Sequence, residues 1–127
     1  MKARYLRAAP YEKDALSLPV ESVASALPFY QNIMGFTVES QSSEPVATAL
    51  LARDEVRIGL AENGGDPTKE GCFFEVDNVE TAYQELKANG HPLGQPNFRN
   101  DTHGATTYRV FFVIAPDGLC YCLGQRQ

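Results

Sequence analysis

The segment at residues 71–90, GCFFEVDNVETAYQELKANG, constrains the fold of this chain more than any other. Its apolar start at residues 72–76 predicts a short strand, and a polar turn then leads into a helix. The helix has one apolar face, because apolar residues recur at three- and four-residue steps: Val79, Ala82, Tyr83 and Leu86. Asn78 is suited to cap the first turn, and Gly90 is suited to the left-handed position that ends a helix.

The same pattern occurs a second time at residues 15–35, ALSLPVESVASALPFYQNIMG. When Val20 is placed over Val76, the apolar, small and capping positions of both segments agree without a gap. Residues 119–124 match residues 56–61 in the same way. In both segments every second residue is a large apolar one, and the residues between them point to the opposite face. Such repetition is typical of a duplicated unit. The sequence therefore predicts two copies of a strand–helix–strand–strand–strand module.

These modules predict a single α+β domain over residues 1–127. The first module covers about residues 14–61, a linker with glycine and proline covers 62–70, and the second module covers about 71–124. Residues 1–13 are expected to form an arm that packs on the surface or on a partner subunit.

Helices are predicted at residues 23–34 and 79–89, and Pro28 should bend or shorten the first of them. A loop is predicted at residues 101–105, and a short strand within 91–100. The other predicted strands are 14–20, 36–41, 46–52, 55–61, 71–76, 106–114 and 119–124.

The composition, 43% hydrophobic and 21% charged, is ordinary for a globular domain. No run approaches the roughly 18 apolar residues that span a bilayer, and the basic N-terminus lacks the apolar region of a signal peptide. The three cysteines are odd in number, and Cys120 and Cys122 project from one face of one strand. We therefore expect reduced thiols and a cytoplasmic location.

The net charge of −5 and the absence of a basic stripe argue against nucleic acid as a partner, and no segment indicates a membrane. Acidity of this size is typical of a protein kept soluble by its charge. It is also compatible with a cationic ligand.

Three motifs carry a resemblance to a known family. The first is ALPFY at residues 26–30 followed by MGF at 34–36, and the second is VDN at 76–78 in front of the second helix. The third is YRVF at 108–111 before PDG at 116–118. In this order and spacing the chain, from about residue 14 to 124, resembles the vicinal oxygen chelate superfamily. That group includes glyoxalase I, extradiol dioxygenases, fosfomycin-resistance enzymes and bleomycin-resistance proteins.

The resemblance implies paired βαβββ modules that form a curved mixed sheet around a cleft, and commonly a homodimer. The family's enzymes hold a divalent metal in this cleft through one His, Glu or Gln on each of four strands. The corresponding positions here are Ala15, Gly59, Gly71 and Cys122. One thiol cannot hold an ion that needs about three protein ligands. The sequence therefore predicts no metal and no other cofactor, a pattern like that of the bleomycin-resistance proteins.

Alternation along the strands predicts which side chains face the cleft. Small residues at the former ligand positions leave room, aromatic residues offer surfaces for stacking, and charged residues offer polar contacts. Glu75 and Arg57 would alternatively neutralise one another, and Cys122 would be an inert buried thiol. His103 is placed in a loop at the cleft mouth. The predicted ligand-binding residues are Arg57, Phe73, Glu75, Arg109, Phe111, Cys122 and His103.

Four functions are compatible with these sequence features. The leading hypothesis is a metal-independent protein that binds an aromatic or cationic small molecule, with no catalytic residue assigned. The alternatives are a lyase or isomerase that moves a proton with Glu75 or His103, a lyase, isomerase or dioxygenase with an unrecognised metal, and a protein–protein module. The sequence does not identify the ligand, and it does not show whether the modules pair within one chain or between two.

Overall fold

The computed structural model describes residues 2–11, 14–93 and 97–127. Over these ranges the chain has the predicted α+β class, with helices α1 at Val23–Pro28 and α2 at Val79–Ala88. None of the helices in the described ranges is long and apolar enough to cross a membrane. The strands in chain order are β1 Tyr5–Pro10, β2 Leu18–Pro19, β3 Thr37–Ser42, β4 Thr48–Arg53, β5 Val56–Ala61, β6 Gly71–Val76, β7 Arg99–His103, β8 Thr106–Ile114 and β9 Cys120–Arg126.

The strands form two sheets with the same internal order. The four-stranded sheet runs β2-β5-β4-β3, and the five-stranded sheet runs β1-β6-β9-β8-β7. Each sheet contains one parallel pair, in which the first strand of a module lies beside its last strand. The pair is β2 with β5 in the four-stranded sheet and β6 with β9 in the five-stranded sheet. The predicted mixed sheet is divided into two sheets, each with the connectivity of one predicted module.

One apolar core joins the two sheets and both helices. It contains inward residues of β5 (Val56, Ile58 and Leu60) and of β6 (Phe74 and Val76). Since strand side chains alternate, the opposite face of each sheet points away from this core. We call the opposite face of the five-stranded sheet the outer face.

The two helices begin with equivalent caps. The Ser22 hydroxyl accepts the backbone N–H of Ser25 at 3.2 Å, and the Asn78 side chain accepts that of Thr81 at 2.9 Å. Each bond satisfies one of the N–H groups that a helix start leaves free. Gly90 follows α2 with a φ of +102°, which confirms the predicted stop.

The helix predicted at residues 23–34 is regular only as far as Pro28. Residues Phe29–Ile33 form a wider π-helical turn, in which the backbone N–H of Met34 reaches the carbonyl of Phe29 at 3.1 Å. The proline ring crowds the carbonyl four residues earlier and has no N–H, so the regular hydrogen-bond ladder cannot continue through it.

The strand predicted at residues 14–20 is reduced to Leu18–Pro19. Asp14 redirects the chain, because its side chain accepts the N–H of Leu16 at 2.9 Å and its carbonyl accepts that of Ser17 at 3.1 Å. Strands β3, β4, β5, β6, β8 and β9 lie within two residues of their predicted bounds.

The N-terminal arm is a strand of the five-stranded sheet. β1 pairs antiparallel with β6, from Tyr5 opposite Val76 to Pro10 opposite Cys72, and so covers an edge that would otherwise be open. A bulge between Tyr5 and Arg7 shifts the alternation. Tyr5 therefore enters the core, while Arg7 points to the outer face. Met1, Glu12 and Lys13 lie outside the described residues.

The loop predicted at residues 101–105 is mostly strand. β7 pairs with β8 from Arg99 opposite Val110 to His103 opposite Thr106, and Gly104 turns the hairpin with a φ of +64°. A turn this tight needs the left-handed conformation that glycine adopts without strain. The short strand predicted within 91–100 thus begins at Arg99, and residues 94–96 lie outside the described ranges.

Candidate functional site

A cavity of about 550 Å³ lies on the outer face of the five-stranded sheet. Strand pairing determines what reaches it, because paired residues on neighbouring strands point to the same face. Across the sheet, Ala9 pairs with Phe73, Phe73 with Cys122, and Cys122 with Phe112. The lining residues are Arg7, Ala9, Pro10, Tyr11, Phe73, Asp101, His103, Thr106, Tyr108, Phe112 and Cys122.

Aromatic rings form much of the cavity wall. Phe73 and Tyr108 meet edge to face with ring centroids 5.1 Å apart, and the His103 ring lies 6.0 Å from that of Tyr108. Phe112 and Tyr11 remain partly exposed beside them. Such rings present flat apolar surface with polar edges, which suits a planar ligand. The structure thus brings three predicted residues, Phe73, Cys122 and His103, to one cavity.

A cluster of charged groups lies at one end of the cavity. The Glu75 carboxylate accepts from the Arg7 guanidinium at 2.9 Å and from that of Arg126 at 3.4 Å. Arg7 also donates to the Tyr108 hydroxyl at 3.0 Å. The hydrogen bond to Tyr108, followed by that to Glu75, raises the pKa of Arg7 above its usual value. Glu75 thus pairs with Arg7 and Arg126 rather than with the predicted Arg57. Neither of these two arginines was predicted from the sequence.

Two of the three thiols, those of Cys122 and Cys72, are poor candidates for nucleophiles. Burial raises the pKa of Cys122 to about 12, so this thiol stays protonated at neutral pH. Cys120 lies 3.7 Å from the Tyr11 hydroxyl. Cys72 belongs to the core, where burial raises its pKa to about 12 as well.

The family's metal positions do not fit an ion here. A side chain at Gly59 would place its Cβ 2.2 Å from the backbone oxygen of Leu16, and one at Gly71 would place it 1.8 Å from that of Cys120. Backbone therefore fills the space into which ligands would project from these two positions. Across residues 2–11, 14–93 and 97–127, no group of three or more His, Cys, Asp or Glu side chains is arranged to hold an ion.

Three predicted site residues lie away from the cavity. Arg57 is exposed on the four-stranded sheet and pairs with Glu39 at 2.8 Å. Phe111 packs in the core against Tyr83, with ring centroids 5.7 Å apart, and Arg109 pairs with Glu80 on α2. The prediction that Arg109 and Phe111 face the cleft is wrong because the assumed alternation of β8 was one residue out of step.

The turn that precedes β9 predicts which side chains of β8 point to the cavity. The segment TTYRVFFVI is apolar on both faces, so its own pattern does not settle its orientation. The tight turn after Ile114 pairs that residue with Cys120, and this register places Phe112 opposite Cys122. Arg7 and Tyr11 had no such signal, since they depend on the arm joining β6 and on its bulge.

Comparison with known proteins places this geometry in a family. The sequence model described as "Glyoxalase/Bleomycin resistance protein/Dioxygenase superfamily" matches residues 13–119 of the chain. No curated protein sequence matches it closely enough to show a relationship.

Three similar solved structures have the same fold. A virulence protein of Salmonella typhimurium is 18% identical, with a TM-score of 0.67 over 90% of this chain and 95% of its own. The bleomycin resistance determinant of transposon Tn5 is 21% identical, with a TM-score of 0.63 over 91% and 98%. A bleomycin-binding protein in complex with bleomycin is 20% identical, with a TM-score of 0.63 over 91% and 99%. At these identities the likeness establishes the fold.

Proposed function

The chain belongs to the glyoxalase/bleomycin resistance protein/dioxygenase superfamily, and we propose that it is a metal-independent member that binds an aromatic small molecule. The observation that carries this proposal is the cavity lined by Phe73 and Tyr108, combined with backbone that fills the space at two of the four metal positions, Gly59 and Gly71. The bleomycin-binding relative supports a binding role for a fold of this kind.

Ligand contact is proposed for Phe73, Cys122 and His103, which line the cavity. Glu75 contributes indirectly, because it holds the Arg7 guanidinium beside Phe73. The proposed site does not include Arg57, Arg109 and Phe111. Arg57 and Arg109 form ion pairs away from the cavity, and Phe111 packs in the core.

We further propose that the protein is a homodimer whose second copy closes the cleft. The outer face carries large apolar side chains in water: Phe112 is 40% exposed and Ile114 is 57% exposed. Exposed apolar groups of this size next to a cavity favour burial against a partner.

The three free cysteines support a reducing compartment, in line with the expected cytoplasmic location.

Metal analysis tests metal independence most directly. We expect the purified protein to carry less than about a tenth of an equivalent of Zn, Ni, Mn or Fe, and its melting temperature to stay constant when these metals are added. A ligand that binds only the folded state must raise that temperature. Near one equivalent of metal, lost to a chelator together with thermal stability, would contradict the proposal and favour the alternative of a metal-dependent lyase, isomerase or dioxygenase.

A further inference from the structure

The charged groups beside the cavity leave one positive charge uncompensated. Arg7 and Arg126 share the single carboxylate of Glu75. The other carboxylate at the cavity, that of Asp101, is contacted through both oxygens by Arg99, at 3.0 and 3.2 Å. Three guanidinium groups therefore face two carboxylates in this part of the described chain, although the whole protein carries a net charge of −5.

The depth of these groups determines which charge a ligand meets. The Glu75 side chain is only 11% exposed, whereas those of Arg7 and Arg126 are 49% and 58% exposed. The carboxylate thus lies beneath the two arginines. Arg7 lines the cavity itself, and Arg126 lies beside it against Tyr108. A guanidinium recognises a carboxylate well, because its planar fork matches the two oxygens.

The arginines also lie next to the aromatic pair of the cavity wall. The guanidinium carbon of Arg7 is 5.4 Å from the Phe73 ring centroid, and that of Arg126 is 5.9 Å from the Tyr108 centroid. A planar ring resting on Phe73 and Tyr108 would direct a substituent toward these cations.

We propose that this cleft selects an aromatic carboxylic acid, with the ring against Phe73 and Tyr108 and the carboxylate on Arg7 and Arg126. The inference rests on the proposed binding function and specifies its ligand class. It replaces the cationic ligand that the acidic composition suggested, because the local charge at a site outweighs the charge of distant, screened groups.

Three probes of one shape and different charge test the proposal by titration calorimetry at pH 7: 2-naphthoate, 2-naphthamide and 2-naphthylmethylammonium. We expect the acid to bind about tenfold more tightly than the amide, a difference typical of partly exposed charge-assisted contacts. The ammonium compound should bind most weakly of the three.

Two substitutions connect this preference to the arginines. Arg7→Met should reduce the preference of acid over amide to about twofold or less while amide binding persists, because one positive charge is removed and the ring contacts remain. Arg126→Met is the second variant, since Arg126 lies at the end of β9 and makes the longer contact with Glu75. Arg4→Met is the matched control, because Arg4 is an exposed arginine paired with Glu55 outside the cavity. It should leave the preference unchanged.

The outcomes separate this inference from the function on which it rests. Equal binding of acid and amide, or tighter binding of the ammonium compound, would overturn the selection of acids while leaving a binding cleft. An acid preference that survives in both Arg7→Met and Arg126→Met would also overturn it. If none of the three probes binds, the aromatic binding function and the ligand class both fail.

Discussion

At the scale of single residues, a chain of hydroxyl groups connects the core to the turn before β9. The Tyr30 hydroxyl lies 2.6 Å from that of Tyr121 and donates to one Asp117 oxygen at 2.9 Å. The other Asp117 oxygen accepts the N–H of Leu119 at 2.9 Å. Buried hydroxyl groups without partners are costly, so this chain explains how two tyrosines can be placed in an apolar core.

Asp117 predicts an unusual dependence of stability on pH. Burial raises the pKa of Asp117 above its ordinary 3.8, despite opposing hydrogen bonds from Leu119 and Tyr30. The folded state therefore holds the proton more tightly than the unfolded state. Its stabilising contribution is full below pH 3.8 and is lost as pH rises through the folded pKa. We compare the free energy of unfolding of the wild type with that of Asp117→Asn in urea titrations. The wild-type value minus the variant value should fall as the pH rises through this window.

Asp66 provides a control of opposite sign. Hydrogen bonds from the Thr68 side chain and backbone lower the pKa of Asp66 below 3.8. Its contribution is present above that pH and is lost as pH falls through the folded pKa. The difference between wild type and Asp66→Asn should therefore rise with pH. Parallel slopes for both substitutions would contradict the assignment of Asp117.

At the scale of elements, a buried ion pair connects three segments. Arg53 at the end of β4 donates to both oxygens of Glu85 on α2, at 2.7 Å each. It also donates to the backbone oxygen of Ala3 at 2.8 Å, and the Ala3 N–H donates back to Glu85 at 3.1 Å. The pair holds the arm, the first half and the second half together. A buried charge of this kind depends on its partner, because neither group is reached by water.

Glu85→Ala is expected to destabilise the protein by about 3 kcal/mol, since it leaves the buried Arg53 charge with only its longer contact to Asp54 at 3.6 Å. Glu80→Ala is the matched control on the same helix. Glu80 is exposed and pairs with Arg109, so its loss should change stability by no more than about 0.5 kcal/mol. Chemical denaturation measures both values. Equal effects of the two substitutions would show that the Arg53–Glu85 pair has no special role.

At the scale of the whole molecule, the outer face of the five-stranded sheet carries large apolar side chains beside its charged cluster. These side chains include Phe73, Phe112 and Ile114. A sheet exposed to water on one face normally alternates apolar and polar residues. The exception here supports the proposal that a second copy covers the cleft.

Ile114→Asp tests that proposal. Light scattering after size-exclusion chromatography should find the wild type as a dimer. A charge placed in the buried contact should weaken the dimer at least about tenfold, because an unpaired carboxylate would have to leave water. Val46→Asp is the control, since Val46 is a partly exposed apolar residue in the connection between β3 and β4. A monomeric wild type would contradict the proposed dimer.

The sequence alone determined the features that depend on local pattern. The spacing of Val79, Ala82 and Leu86 predicted α2, and the repeat predicted the strand order that the two sheets share. Each rests on neighbouring residues or on a comparison within the chain, so no knowledge of distant contacts was needed.

Only the tertiary structure decided which groups meet at the cleft. Arg7 and Tyr11 reach the cavity because β1 pairs with β6 and bulges after Tyr5, a contact between residues about seventy positions apart. Phe112 replaces Phe111 at the cleft because the register between β8 and β9 sets the face, and a shift of one residue reverses it. Local sequence does not encode such long-range pairing. The charge of the site therefore followed from the fold rather than from the composition.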